Sequence, residues 1–197
     1  MICKAAIWPG YLKTKNNKMS KTDIKQHWDL IYHNKTPDQV SWTQEKPETS
    51  LKLIQDSGLS KTAKIIDIGG GDSKLVDYLL EEGYKNITVL DISAKSLDKA
   101  RKRLGNKAGN VDWIVSDIST FKPDIVANFV SDSLIIGTFS KNGPTKCSGL
   151  ETSQYDEQEL TKRFKDHFKI EDCFTTDHIT PFNTIQNFQF CRFKKLK

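Results

Sequence analysis

Ile66-Asp67-Ile68-Gly69-Gly70-Gly71-Asp72-Ser73 is the stretch that decides the fold. It closes a short apolar run at 64–68, turns through three glycines, and enters a segment with Leu75, Val76, Leu79 and Leu80 on one face. The apolar run reads as a buried strand, and the three–four spacing after it reads as a helix that stops at Gly83. Glycines between the two let the backbone take positive φ and let a ligand approach the main chain. A strand, a glycine turn and a helix in that order form the opening half of a parallel βαβ unit.

Reading outward, the pattern repeats. A strand over 87–90 ends in Asp91, and a helix from Ser93 to Leu104 is capped by Ser93 and closed by Gly105. A third strand over 111–115 runs into Ser116-Asp117. Upstream, Ile24, His27, Trp28 and Ile31 share a helical face behind Ser20 or Thr22 as cap, and a second helix runs from Pro47 to Gly58. Downstream come a strand over 134–139, a helix over 156–168, and two strands over 169–176 and 185–193 around Thr180-Pro181-Phe182-Asn183. Two strands joined that closely must be antiparallel. The expected architecture is α/β: a Rossmann-like, mostly parallel sheet with a C-terminal antiparallel hairpin and helices on both faces.

A length of 197 residues fits one such domain. Hydrophobic residues make up 37% and charged residues 28%, which excludes a collagen-like or disordered chain. No run of 18 apolar residues occurs, so no membrane-spanning helix is expected. The net charge of +5 draws on the basic tail Arg192–Lys197 and on the first 22 residues, which hold five lysines and no acid. That reads as solvated surface, with no clear nucleic-acid site. Cys3, Cys147, Cys173 and Cys191 include no CxxC pair, so reduced thiols in an intracellular protein are expected, without a zinc site or a disulfide framework. A cytoplasmic location is the default, with a mitochondrial one as the alternative. Residues 1–19 read as a flexible basic extension, and 20–197 as the folded domain.

One interval does not fit. After Asp117 only Ser131-Asp132-Ser133 separates the apolar runs 125–130 and 134–139. Three residues cannot make a parallel crossover. Either 125–139 forms an antiparallel hairpin or one kinked strand, or a central strand and helix are absent and the domain is shortened between about 118 and 134. If a central strand is absent, the sheet is left with unpaired edges in its middle.

The glycine turn and Asp91, twenty residues after Gly71, are the parts of a nucleoside site: backbone against the ligand, and an acid for two ribose hydroxyls. A dinucleotide fingerprint needs glycine at position 74, where Lys74 stands, and no Walker loop is present. Asp67 and Asp72 flank the turn and would repel a pyrophosphate. The ammonium and sulfonium of S-adenosylmethionine would welcome them.

Here the chain resembles the class I S-adenosylmethionine-dependent methyltransferases. Asp67-x-Gly69-x-Gly71 is similar to the first motif of the family, with Ser73 where a third glycine is common. Asp91 followed by Ile92 is similar to the second, and Ser116-Asp117-Ile118 to the third. The resemblance implies that Asp91 meets the ribose, Ile92 the adenine ring and Asp117 the adenine amino group. His27-Trp28, Val40-Ser41-Trp42 with Pro47, and the 137–150 segment resemble a subgroup of small stand-alone members. Trp28 and Trp42 then serve as cofactor lids or as core aromatics. The implied cofactor is S-adenosylmethionine and the implied partner a small-molecule or protein methyl acceptor. Cys147 and His178, on loops beyond the carboxyl ends of the strands, are candidate acceptor contacts. No catalytic residue is singled out, and no metal site is expected. The rival readings are a methyltransferase-fold binding module impaired by the shortened region, and an NAD-dependent oxidoreductase, which Lys74 and Asp72 disfavour.

Overall fold

The computed structural model describes residues 2–6, 20–117 and 130–197. Its strands are β1 (Ile2–Ala6), β2 (Lys64–Ile68), β3 (Asn86–Asp91), β4 (Val111–Val115), β5 (Ser133–Phe139), β6 (Lys146–Cys147), β7 (Leu150–Glu151), β8 (Phe168–Ile179) and β9 (Ile185–Lys195). Its α-helices are α1 (Lys21–Asn34), α2 (Glu48–Asp56), α3 (Leu75–Glu81), α4 (Ala94–Leu104) and α5 (Glu157–Phe164). Seven strands form one sheet in the order β4-β3-β2-β1-β5-β9-β8. The first five are parallel, and β9 and β8 close the far edge as an antiparallel hairpin.

Local chemistry accounts for these elements. Ser20 accepts the Asp23 N–H while the Asp23 carboxylate accepts the Ser20 N–H, a reciprocal cap that starts α1. Ser93 caps α4 through the Ser96 N–H, and Asp156 and Glu159 cap α5 in the same reciprocal way. Strand side chains alternate between two cores. Ile65, Ile87, Val89 and Ile135 pack with α2, α3 and α4 on one face. Ile68, Leu90, Leu134 and Ile136 pack with Leu160, Phe164 and Phe193 on the other. The helix expected over 156–168 ends at Phe164, because Phe168 already belongs to β8.

The centre of the sheet departs from expectation. The extension predicted over residues 1–19 does not hold for 2–6, which form β1 between β2 and β5. Ile2 to Ala5 pair with Ile65 to Ile68 on one side, and Cys3 to Ala6 pair with Leu134 to Gly137 on the other. A bare gap would strand two rows of backbone donors and acceptors, and an extended segment on both edges satisfies them. The other residues of the predicted extension, and 118–129 of the shortened region, lie outside the described residues.

The cysteines also differ. Cys173 and Cys191 stand directly opposite each other on β8 and β9 and are joined as a disulfide, against the expectation of reduced thiols. The hairpin register brings together two residues that are distant in sequence. Among the described residues no helix is long and apolar enough to cross a membrane, and no cluster of metal-ligating side chains occurs.

Candidate functional site

Order in the sheet reverses at its centre. From β2 the chain proceeds to β3 and β4 on one side, then reappears at β5 on the other side of β1. Ligands of open α/β sheets sit outside the carboxyl ends of the strands at such a reversal. That edge carries the glycine turn after Ile68, Asp91 at the end of β3, Ser116-Asp117 after β4, and Ser140 after β5.

Gly69 and Gly71 have φ of 69° and 53°, the left-handed region that side-chain-bearing residues avoid. The Gly69 N–H donates to the Leu90 carbonyl at 2.7 Å, tying the turn to β3. A Cβ on Gly70 would lie 2.7 Å from Val89 Cγ1 and 2.8 Å from Asp67 Oδ2. On Gly71 it would lie 2.5 Å from the Tyr32 hydroxyl and 3.5 Å from Asp91 Oδ2. The turn is thus pressed between a tyrosine and a carboxylate.

Asp67 and Asp91 are both buried beside it. The Ser93 N–H donates to Asp91 Oδ1 at 2.8 Å. Burial pushes the Asp91 carboxyl up to about 6, against the pull of the Ser93 N–H and the Ser96 hydroxyl. A folded-state value above the unfolded one means that the native state holds its proton more tightly. Stability from this group is full below about pH 4, falls as pH rises through about 6, and is constant above that. The loss is on the order of 3 kcal/mol. Thermal midpoints of the wild type and Asp91→Asn should therefore diverge between about pH 4 and 6, with the wild type losing ground. A gap that is the same at every pH would refute the raised value.

Asp72 is also raised, by burial, with Lys99 and Arg103 pulling the other way. Arg103 holds the start of α3: it donates to the Asp72 and Ser73 carbonyls and grips Asp77 through two nitrogens.

The entry segment closes over the turn. Trp28 and Tyr32 on α1 and Trp42 form an aromatic group, with ring centroids 5.7 Å apart for the two tryptophans and 6.0 Å for Tyr32 and Trp42. Both tryptophans are half-buried. Tyr32 is buried, and burial together with the nearby Asp91 and Asp72 keeps its hydroxyl protonated. Sequence reasoning passed over Tyr32, although it follows Trp28 by one helical turn and shares its face. Lys74 Nζ meets Glu45 at 2.6 Å, and Asp29 accepts from the Ser93 hydroxyl at 2.7 Å, so α1 and the 41–48 segment are anchored to the starts of α4 and α3.

The remaining expected residues are placed as follows. Ile92 and Asp117 are half-buried at the carboxyl ends of β3 and β4, and the Ser116 N–H donates to the Asp91 carbonyl. Ile118 lies outside the described residues. Cys147 is buried on β6 close to Tyr32, and burial pushes its thiol up to about 11, so it stays neutral. His178, near the tip of the β8–β9 hairpin, bonds the Ser41 carbonyl through Nε2 at 2.7 Å and meets Gln44 Nε2 through Nδ1 at 3.4 Å. Since the Gln44 amide nitrogen can only donate, Nδ1 accepts and Nε2 carries the proton. Both ring nitrogens are thereby engaged with the entry segment. His178→Ala should lower turnover roughly tenfold through lost alignment, with S-adenosylhomocysteine affinity nearly unchanged. Equal loss in both quantities would remove His178 from the acceptor side.

An open parallel sheet with a glycine turn, a buried acid one strand along and an aromatic cover defines a nucleoside-binding α/β protein. A family model described as a methyltransferase domain matches residues 65–168, just over half of the chain. The chain belongs to that family, as a class I S-adenosylmethionine-dependent methyltransferase fold. No curated protein sequence matches it. Among solved structures it is similar to a SAM-dependent methyltransferase from Anabaena variabilis, at 13% identity and a TM-score of 0.67, over 98% of this chain and 99% of that one. It is also similar to the Burkholderia thailandensis 1,6-didemethyltoxoflavin-N1-methyltransferase, which was solved with 1,6-didemethyltoxoflavin and S-adenosylhomocysteine. There the identity is 14% and the TM-score 0.64, over 97% and 95% of the two chains. An N-methyltransferase from Bradyrhizobium japonicum in complex with S-adenosylhomocysteine matches at 13% identity and a TM-score of 0.63, over 88% and 98%.

Proposed function

We propose that this chain binds S-adenosylmethionine at the carboxyl edge of β2 and β3 and transfers its methyl group to a small-molecule acceptor. The observation that carries this reading is the Gly71–Asp91 pair: a left-handed glycine, at a place where an added Cβ would lie 3.5 Å from Asp91 Oδ2, beside a buried carboxylate. Bare backbone and an anion together suit a nucleoside that is cationic and lacks phosphate. Asp91 holds the ribose hydroxyls, Ile92 packs on the adenine, and Asp117 accepts from its amino group. Asp67, Gly69 and Gly71 shape the turn, and Trp28, Tyr32 and Trp42 exclude water above it.

The cofactor supplies an activated methyl group with a neutral leaving group, so the protein mainly aligns the acceptor. The Ser140 region, Cys147 and the hairpin bearing His178 face that side. Cys147 acts as a packed neutral thiol, and His178 as a strut that holds the entry segment. Small acceptors bound by similar proteins support the acceptor class. The filled centre of the sheet supports catalysis over the binding-module reading, which rested on a gap. Calorimetry with S-adenosylhomocysteine and with NADH, followed by labelled-methyl transfer across amines, phenols and thiols, tests the reading. Uptake of NADH alone, or of neither nucleotide, defeats it.

A further inference from the structure

The sheet is two blocks joined by one strand. β2, β3 and β4 pair in sequence on one side, and β5, β9 and β8 pair on the other. Among the described residues only β1 pairs with members of both blocks, with four residue pairs to β2 and four to β5. The first block carries the glycine turn and Asp91, and the second carries the acceptor-side loop and hairpin.

We propose that the position between β2 and β5 is a strand-accepting site, whose ligand is an extended peptide laid parallel to both flanking strands. The segment Ile2–Ala6 of this chain is its occupant. Backbone pairing on both edges supplies the recognition, as in β-strand addition, with twice the usual number of ladders because the slot is internal. The same segment of a second copy would make the same pairs, since exchange of an identical element recreates every contact. Occupancy of the slot sets the spacing of the two blocks, and with it the alignment of donor and acceptor sides.

The 197-residue chain carrying Lys4→Pro and Ala5→Pro loses a ladder donor toward each neighbour, because adjacent residues of a strand point to opposite edges. Its thermal midpoint is expected to fall by about 10 °C or more. A synthetic peptide of residues 1–8 should restore the midpoint in a saturable way, and the same peptide with proline at positions 4 and 5 should not. Recovery by both peptides, or by neither in soluble variant, overturns the proposal. If the variant precipitates, hydrogen exchange on the unaltered chain decides. Lys4 and Ala5 amides should be protected to the same degree as those of Ile66 and Ile68, and exchange at the rate of free peptide would overturn the proposal. Because none of these measurements reads methyl transfer, they stand or fall apart from the proposed function.

Discussion

Gly71→Val abolishes measurable binding of S-adenosylhomocysteine, at least a thousandfold loss, while the protein stays folded. A β-branched residue at φ 53° is strained by roughly 1–3 kcal/mol, and the same backbone geometry is what exposes the main chain to the ligand. The added Cβ would lie 2.5 Å from the Tyr32 hydroxyl, and Tyr32 is buried among aromatic rings that hold it there. The side chain must therefore push into the crevice and occupy the ligand's place. Gly58 is the control. It also has positive φ, 64°, but nothing lies within 4 Å of its missing Cβ. Gly58→Ala should cost about 1 kcal/mol of stability without changing affinity. Equal affinities for wild type and Gly71→Val, measured by titration calorimetry, would place the nucleoside elsewhere.

Asp91→Ala is expected to weaken S-adenosylhomocysteine binding by between about a hundredfold and ten-thousandfold, the worth of two hydrogen bonds to a charged acceptor at about 1.5–3 kcal/mol each. The fold should tolerate the change, because it removes a buried carboxyl that is already raised to about 6 and so burdens the native state at neutral pH. Higher melting temperature with lost affinity is thus the expected combination. A drop in both would mean that the carboxylate holds β3 and α4 together and has no ligand role. Thermal unfolding at pH 7 with and without S-adenosylhomocysteine separates the two.

Much of this was legible in the chain. The apolar run before Gly69, the periodic face from Leu75 to Leu80 and the cap at Ser93 fix β2, α3 and α4, because each rests on contacts between near neighbours. The turn and its acid were legible for the same reason: their spacing follows from a single βαβ unit. Long-range pairing was not. Nothing local in Ile-Cys-Lys-Ala-Ala distinguishes an internal strand from a tail, and its partners begin sixty residues later. The Cys173–Cys191 bridge was accessible in principle. Both residues lie nine positions from Phe182, so a hairpin centred there must set them face to face, as it does Ile179 and Ile185. His178 was read as an acceptor contact because loops at that edge carry function. Its bonds to Ser41 and Gln44 were not legible, because those residues lie far away in sequence and meet it through tertiary packing.

The order of assembly follows from where β1 sits. Its second edge is completed by Leu134 to Gly137, so it is paired on both sides only once a stretch 131 residues further along is in place. Contacts of such large sequence separation form slowly. Refolding should show a late phase in which the sheet closes. During that interval the exposed rims of β2 and β5 are the surfaces a chaperone would shield from self-association.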